Sequence, residues 1–272
     1  MLYIVATPIG NINEITYRAV EVLKSVDAIL CEDTRHSSVL LRTYGIEKPL
    51  ISYQKFNERS RVSEVLQMLK DGKEIALISD AGMPMISDPG HVLLDEVIAS
   101  DLPYTVVSGP CAMVNALVLS GLSTQNFVFV GFLPEKTVDK DRMIAKFCDI
   151  PSTLVFYLPL SDVDKILDYL HEKLGERRYS LVREISKKFE EVIRGRLGEK
   201  TDFVHKGEYV LVVEGAPESD QELNSLPVEE HVAFYTDGGM DKKQAIKMVA
   251  KDRGVPKSEI YAYVLGDKNK QE

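Results

Sequence analysis

The stretch LYIVATPIGN, residues 2–11, decides the fold. An apolar run over residues 2–6 passes directly into a short loop that contains Pro8 and Gly10, and an amphipathic helix pattern begins by residue 14. A buried strand, a short loop and a helix in that order are typical of a parallel α/β unit. In such sheets, ligands bind at the loops that follow the carboxyl ends of the strands. The stretch therefore predicts the fold class and one wall of a site.

The same alternation continues to about residue 130. Continuous apolar strands separated by amphipathic helices predict a mostly parallel sheet with both faces covered, here an N-terminal α/β domain over residues 1–133. The strand patterns cover residues 2–6, 27–31, 49–53, 74–79, 103–107 and 127–131. The helical patterns cover residues 14–25, 35–44, 58–70, 90–100 and 110–121.

A second α/β domain is predicted over residues 134–216. Two strand patterns, 178–186 and 189–196, are separated only by Lys187 and Lys188. So short a connection predicts an antiparallel hairpin, and hence a mixed sheet. The remaining patterns of this domain are strands at 152–157 and 208–214 and a helix at 161–174.

After a polar linker at 215–227, the chain ends in a helical pattern over residues 228–272. Asp241 is placed to cap a helix that ends near Gly254, and Pro256 lies early in the next helix. Two short helices joined in this way predict a small helix-turn-helix-like extension.

Composition indicates a globular cytoplasmic protein. Of the 272 residues, 44% are hydrophobic and 28% are charged. No apolar run approaches the roughly 18 residues of a membrane span, and the first residues lack the features of a signal peptide. Three widely spaced cysteines, Cys31, Cys111 and Cys148, favour a reducing compartment and predict neither a disulfide framework nor a metal site.

The net charge of −9 disfavours a polyanionic partner for the protein as a whole, but the charge is uneven. Residues 173–200 carry nine Lys and Arg against five Asp and Glu, and residues 240–257 carry six against two. Charge alone fits either a solvated helix face or an RNA contact. The candidate RNA-binding residues of the extension are Lys242, Lys243, Lys247, Lys251, Arg253 and Lys257.

Two more loops rich in Gly and Pro follow predicted strands, at 79–90 (SDAGMPMISDPG) and 108–112 (SGPCA). Together with residues 7–11 they are expected to converge on one crevice. Neither G-x-G-x-x-G nor a GK[ST] phosphate loop is present. Small side chains beside the Asp80 carboxylate suit a nucleoside that carries a sulfonium and an amino-acid tail, although Asp80 also fits a turn.

Several motifs carry a resemblance along nearly the whole chain: TPIGN (7–11), CEDTRHS (31–37), ISDAGMPMISDPG (78–90), VSGPCA (107–112), VGFLP (130–134), LVFY (154–157) and LVREISKKFEEVIRG (181–195). The sequence resembles the tetrapyrrole-methylase superfamily, and within it the branch that modifies ribosomal RNA. The resemblance implies two tandem α/β domains with S-adenosylmethionine in the cleft between them, and a homodimer. It also implies 2′-O-methylation of a decoding-centre cytidine, position 1402 of 16S rRNA.

The resemblance also implies which residues contact the cofactor. The first loop supplies Pro8, with Gly10 shaping the same wall. Relatives build the next loop around Gly-Asp-Pro, and of these three residues this sequence keeps only the Asp, as Asp80. The remaining implied contacts are Ser79, Asp80, Ala81, Gly82, Cys111, Ala112, Tyr157, Leu158 and Gly195.

Methyl transfer to a ribose hydroxyl needs in-line alignment and gains from a base near the hydroxyl. The sequence does not choose the base. Arg35 and Arg183 suit phosphate positioning, and Asp33 and Glu184 equally suit ion pairs with them. The full set expected at the cleft mouth is Glu32, Asp33, Arg35, His36, Asp88, Arg183 and Glu184, with Tyr53, Phe56 and Tyr157 as candidates to stack the target cytosine.

Two other functions fit the sequence. One is a C-methyltransferase of a porphyrin precursor, whose propionate-rich substrate needs a ring of arginines in the cleft. The other is a ribosome-binding module without catalysis, which has no need of three shaped loops. The basic extension favours RNA over a tetrapyrrole.

Overall fold

The computed structural model describes residues 1–54, 56–159, 162–217, 224 and 226–266. The chain forms two compact units, Met1–Cys148 with Ser152–Gly215, and Asp149–Pro151 with Ala216–Glu272. Parts of the predicted linker and extension, residues 218–223, 225 and 267–272, lie outside the described residues. No helix in the described part of the chain is long and apolar enough to cross a membrane.

The first sheet of the larger unit is parallel throughout, which confirms the predicted fold class. Its strands are β1 (Leu2–Val5), β2 (Ala28–Cys31), β3 (Leu50–Ser52), β4 (Ile75–Leu77) and β5 (Tyr104–Val107), in the order β3-β2-β4-β1-β5. The helices between and after them are α1 (Tyr17–Ser25), α2 (Thr34–Thr43), α3 (Glu58–Lys70), α4 (His91–Ala99) and α5 (Ala112–Ser120). Because β4, β1 and β5 are neighbours, the three Gly/Pro loops that follow them lie side by side.

The second sheet is mixed, as predicted. Its strands are β6 (Phe127–Phe132), β7 (Thr153–Leu158), β8 (Arg178–Arg183), β9 (Glu191–Arg196) and β10 (Tyr209–Val213), in the order β6-β7-β10-β8-β9. The β6–β7 pair is parallel and the other pairs are antiparallel, including the β8–β9 hairpin. The helices α6 (Thr137–Ile144) and α7 (Val163–Leu174) belong to this half.

Residues 127–132 lie in the second sheet, although the sequence pattern grouped them with the first. The strand β6 pairs with β7 in a register that begins at Phe127 opposite Thr153 and contains an irregularity between Phe129 and Gly131. An apolar strand pattern carries no information about which sheet completes its hydrogen bonds. That choice depends on a partner strand elsewhere in the chain.

Helix α5 joins the two halves of the larger unit. Its sequence, AMVNALVLS, lacks a polar face, and Ala116 and Leu117 are buried. These side chains share a core cluster with Val155 and Val182 of the second sheet. A helix of the first half therefore covers a face of the second sheet, which explains why the two halves form one unit.

The smaller unit contains α8 (Val228–Asp237), α9 (Lys242–Asp252) and α10 (Lys257–Gly266). The Asp241 carboxylate caps α9 by accepting the N–H groups of Lys243 (2.9 Å) and Gln244 (3.1 Å), as predicted. The apolar faces of the helices meet in a core of their own around Val232, Ile246 and other buried residues, namely Val228, Ala245, Val249, Ala250 and Ile260.

Candidate active site

A cavity of about 410 Å³ opens where the two sheets of the larger unit meet. This volume lies in the range of small-molecule sites. The first half contributes Ile9, Glu32, Asp80, Ala81, Gly82, Met83, Ile86, Ser87, Asp88, Cys111 and Ala112. The second half contributes Phe132, Tyr157, Leu158, Ile185, Glu208, Tyr209 and Val210. The three Gly/Pro loops therefore converge on one crevice.

The loop over residues 79–90 is held in a strained and specific shape. Thr7 and Gly82 exchange two backbone hydrogen bonds of 2.9 and 3.1 Å, which tie this loop to the first turn of the chain. Met85 and Ser87 have positive φ angles of 72° and 69°. Such a backbone costs energy in residues other than glycine and persists only where the surroundings determine it. The loop is therefore a preformed wall of the cavity.

A buried carboxylate supports the far end of that loop. Glu58 accepts the N–H of Gly90 (2.8 Å) and the hydroxyl of Tyr53 (3.1 Å). Tyr53 is fully buried, so the prediction that it stacks a cytosine is wrong. Phe56 is 86% exposed and lies outside the cavity lining.

Three carboxylates from the first half of the unit, those of Glu32, Asp80 and Asp88, make one side of the cavity acidic. Glu32 follows β2, and its carboxylate accepts the N–H of Asp80. Burial, helped by the charges of Asp88 and Asp80, raises the pKa of Glu32 to about 7. Burial also raises the pKa of Asp88 to about 6, although a hydrogen bond from Ser79 opposes this shift. This arrangement suits a cationic ligand, because a positive charge relieves the repulsion between the carboxylates.

The opposite side of the cavity offers backbone donors and an aromatic wall. Cys111 and Ala112 begin α5, and the N–H groups of a helix's first turn bind carboxylates and phosphates. Tyr157 contacts the edges of Phe129 and Phe132, with ring centroids 5.0 and 5.4 Å apart. Burial raises the pKa of Tyr157 to about 12, so its phenol is neutral at physiological pH.

Most of the predicted cofactor residues lie at this cavity. Those that line it directly are Asp80, Ala81, Gly82, Cys111, Ala112, Tyr157 and Leu158. Ser79 is buried outside the lining and is hydrogen-bonded to the lining residue Asp88. Pro8 is buried next to the lining residue Ile9. Gly10 lies against the other half of the unit, because a Cβ there would come within 2.4 Å of Lys187 Cγ.

Gly195 lies elsewhere, which contradicts its expected contact with the cofactor. Gly195 pairs with Tyr179 at one end of β8. The cavity adjoins the other end of β8, where Arg183 pairs with the lining residue Tyr209. The four residue steps from Glu191 to Gly195 correspond to about 13 Å along a strand. A Cβ at Gly195 would lie 3.0 Å from the Tyr179 ring, so a side chain here would press on that ring.

Asp33, Arg35 and His36 do not line the cavity. Asp33 caps α2, where it accepts the N–H groups of Arg35 (2.8 Å) and His36 (3.4 Å). Its carboxylate also pairs with the Arg35 guanidinium at 3.0 Å, and these bonds lower the pKa of Asp33 to about 2. Of the two roles that the sequence left open for Asp33, the structure therefore gives it the ion pair with Arg35.

Arg183 and Glu184 also lie outside the cavity lining and have structural partners. Arg183 donates to the carbonyl of Lys206 (2.7 Å) and pairs with Glu191 (3.5 Å). Glu184 accepts the N–H of Glu208, a lining residue, at 2.9 Å. These two residues therefore position the wall rather than face the cavity.

Several lining residues were missed by sequence reasoning. Phe132 belongs to VGFLP, one of the motifs that carry the family resemblance, and this motif could have indicated it. Glu208, Tyr209 and Val210 begin an ordinary apolar strand pattern. Their place in the wall follows from the insertion of β10 between β7 and β8. No local sequence pattern predicts that insertion.

In the smaller unit, the candidate RNA-binding lysines Lys242, Lys243, Lys247, Lys251 and Lys257 are exposed. Lys243, Lys247 and Lys251 recur every fourth residue of α9 and share one helix face. Arg253 differs, because it is half-buried and donates to His231 Nδ1 (3.1 Å) and to the carbonyl of Leu226. Its predicted RNA contact is therefore replaced by a structural role.

Comparison with known proteins gives consistent results. The chain is 40% identical to "Ribosomal RNA small subunit methyltransferase I" of Bacillus subtilis, over 96% of this chain and 92% of that protein. It is 37% identical to the protein of the same name in Haemophilus influenzae, over 97% and 96% of the two chains.

Among solved structures, the methyltransferase CobJ matches with a TM-score of 0.62 at 16% identity, over 79% of this chain and 94% of its own. The uroporphyrin-III C-methyltransferase of Thermus thermophilus, complexed with S-adenosylhomocysteine, matches with a TM-score of 0.56 at 19% identity, over 78% and 96% of the two chains. These structures share the fold.

The profile of the family described as Tetrapyrrole (Corrin/Porphyrin) Methylases matches residues 1–201, which include both sheets up to β9 and most of the residues that line the cavity. On this match and on the near full-length similarity to its relatives, the chain belongs to the tetrapyrrole methylase family.

Proposed function

We propose that this protein is an S-adenosylmethionine-dependent methyltransferase that acts on the RNA of the small ribosomal subunit in the cytoplasm. The similarity to relatives with that name along nearly the whole chain carries the proposal. The finer proposal is 2′-O-methylation of a cytidine in the decoding centre of 16S rRNA.

The residues of the cavity fit this cofactor. When bound, S-adenosylmethionine supplies an electrophilic methyl group on a positively charged sulfur. Glu32, Asp80 and Asp88 place negative charge where a sulfonium and an amino group gain from it. The first turn of α5 offers N–H groups to a carboxylate, and the aromatic wall at Tyr157 offers a flat apolar surface to a nucleoside base.

We propose Glu32 as the residue that takes the proton from the ribose hydroxyl. A base works best when its pKa lies near the pH of the reaction, and the pKa of Glu32 is about 7. Three other ionisable lining groups are less suitable. Glu208 is paired with Lys187 at 2.8 Å, the pKa of Asp88 is lower than that of Glu32, at about 6, and Tyr157 keeps its proton.

The helical extension is proposed to contact the RNA. Its exposed lysines on α9 form a row of positive charge that suits phosphates along a nucleic-acid backbone. Phosphate contacts of this kind position a protein without specifying sequence. Recognition of the target nucleotide is then left to the cavity and its surroundings.

A homodimer is proposed as the assembly. The strand β5 forms an edge of the first sheet, and Tyr104 and Val106 leave nearly half of their surface exposed on it. An open apolar edge strand promotes association with another chain.

The test is transfer of labelled methyl from S-adenosylmethionine to small ribosomal subunits that lack the modification, followed by nuclease mapping. Label on a decoding-centre ribose is the expected result. Label on a base, or at another position of the RNA, would overturn the finer proposal. Label in a porphyrin precursor but not in RNA would replace the substrate class, and no transfer to either would favour a binding module.

A further inference from the structure

The turn between β8 and β9, residues 184–190, is built as a rigid projection beside the cavity. Ile185 is buried and lines the cavity wall. Lys187 pairs with both Glu184 (3.0 Å) and the lining residue Glu208 (2.8 Å). The stem of Lys187 also lies against Gly10 of the first loop, so both halves of the unit hold the turn in place.

The backbone of this turn is strained as well as anchored. Glu184 and Ser186 have φ angles of 49° and 66°, a region that residues other than glycine seldom occupy. The Glu190 carboxylate accepts the N–H of Ser186 at 2.7 Å and stabilises this conformation. Strain of this kind is concentrated at functional sites. It fixes the path of the backbone that leads to Lys188 and Phe189.

Those two side chains, Lys188 and Phe189, project into solvent. Phe189 is 63% exposed, although a phenylalanine ring is usually buried. The Lys188 ammonium lies 5.6 Å from the centre of that ring. An exposed aromatic face beside a cation is the combination with which proteins stack unpaired nucleobases and hold the adjoining phosphate.

We propose that Phe189 and Lys188 form a stacking platform for an unpaired RNA base at the rim of the cavity. This inference rests on the proposed function and adds a specific RNA contact to it. The Phe189 ring stacks the face of a base close to the target nucleotide, and Lys188 contacts the phosphate beside it. The platform thereby orients the strand so that the target ribose enters the cavity.

The chain contains no tryptophan, so Phe189→Trp introduces a single tryptophan at the platform, whose emission is excited selectively over that of the tyrosines. Phe127→Trp is the matched control, because Phe127 is 42% exposed and lies at the end of β6 away from the lining residue Phe132. Both full-length variants are titrated with a short single-stranded RNA and with polyphosphate, which carries charge but no bases.

Quenching of the Phe189→Trp emission by RNA, but not by polyphosphate, is the expected result, with no such quenching in Phe127→Trp. Equal responses of the two variants to RNA, or equal quenching by RNA and polyphosphate, would overturn the platform. This readout does not depend on methyl transfer. Quenching without any methylation of RNA would therefore count against the proposed function and leave the platform standing.

Kinetics provide the second test. Stacking of one base on an aromatic ring changes affinity by a factor on the order of ten or more. Phe189→Ala is expected to raise the KM for the RNA substrate about tenfold and to leave the Kd for S-adenosylmethionine unchanged, while Phe189→Trp retains the low KM. Equal KM values for Phe189→Ala and Phe127→Ala in an active enzyme would reject the platform. A raised KM for RNA in Phe189→Trp would also reject the platform, and would mean that the Phe189 ring serves packing or contacts a protein partner.

Discussion

Replacing Glu32 by Gln tests both the electrostatics of the cavity and the assignment of the base. Glutamine has nearly the same shape, and its carbonyl oxygen can still accept the N–H of Asp80. The substitution removes the negative charge that Glu32 carries beside Asp80 and Asp88. Stability and activity should therefore change in opposite directions.

The magnitude follows from the pKa of Glu32, which rises from 4.5 to about 7 on folding. Each pH unit corresponds to about 1.4 kcal/mol, so the charged carboxylate destabilises the folded state by roughly 3 kcal/mol. Partial exposure to solvent lowers this figure to about 2 kcal/mol. Below pH 4.5 both states are protonated and the cost is absent; it grows as the pH rises and is complete above pH 7.

Unfolding of the wild type and of Glu32→Gln is therefore compared at pH 4.5 and pH 8. The variant is expected to be more stable by about 2 kcal/mol at pH 8, or roughly 4–8 °C in Tm for a unit of this size, and to match the wild type at pH 4.5. Its kcat should fall by about 10²–10⁴. Its Kd for S-adenosylmethionine should rise, because one of the three carboxylates that favour a cationic ligand loses its charge.

Asp33→Asn is the control for stability, since Asp33 is adjacent in sequence and asparagine also caps helices. It should show no gain in stability at pH 8. Stability of Glu32→Gln equal to or below that of the wild type at pH 8 would refute the electrostatic reasoning. A kcat within a factor of about three of the wild type would refute the assignment of Glu32 as the base.

Three further predictions concern the extension, the first loop and the edge strand. Changing Lys243, Lys247 and Lys251 together to Glu should raise the KM for RNA tenfold or more and reduce its salt dependence, without changing the Kd for S-adenosylmethionine. An equal loss of affinity for RNA and for S-adenosylmethionine would mean that the three lysines have a structural role. Gly10→Ala should lower stability by about 1–3 kcal/mol in urea unfolding, because its Cβ meets Lys187 Cγ, and Lys187→Ala should restore part of the loss. Tyr104→Lys should shift a dimer toward monomer in sedimentation; an unchanged mass would exclude β5 as the interface.

Local chemistry explains what was predicted correctly. The alternation of apolar strands and amphipathic helices predicted the parallel sheet, and the short connection at Lys187 and Lys188 predicted the β8–β9 hairpin. The cap at Asp241 was equally visible, because it depends on the next three residues only. Such features need no knowledge of distant parts of the chain.

Features that depend on distant partners were missed or misplaced. The residues of β6 do not indicate that β7 is its pairing partner. The expected cofactor contact of Gly195 was wrong because strand pairing sets where a residue lies along the sheet. Arg253 was predicted to contact RNA from its charge, but burial beside His231 gives it a partner within the protein.

The sequence by itself determined the two-sheet α/β architecture and the three loops that follow β1, β4 and β5, since hydrophobic periodicity and turn residues act between neighbours. Only the tertiary structure decided which side chains face the cavity, because β10 enters the second sheet between β7 and β8 and brings Glu208 and Tyr209 to the wall. The raised pKa of Glu32 has the same origin: it results from burial and from two carboxylates supplied by another loop, and no local pattern encodes it.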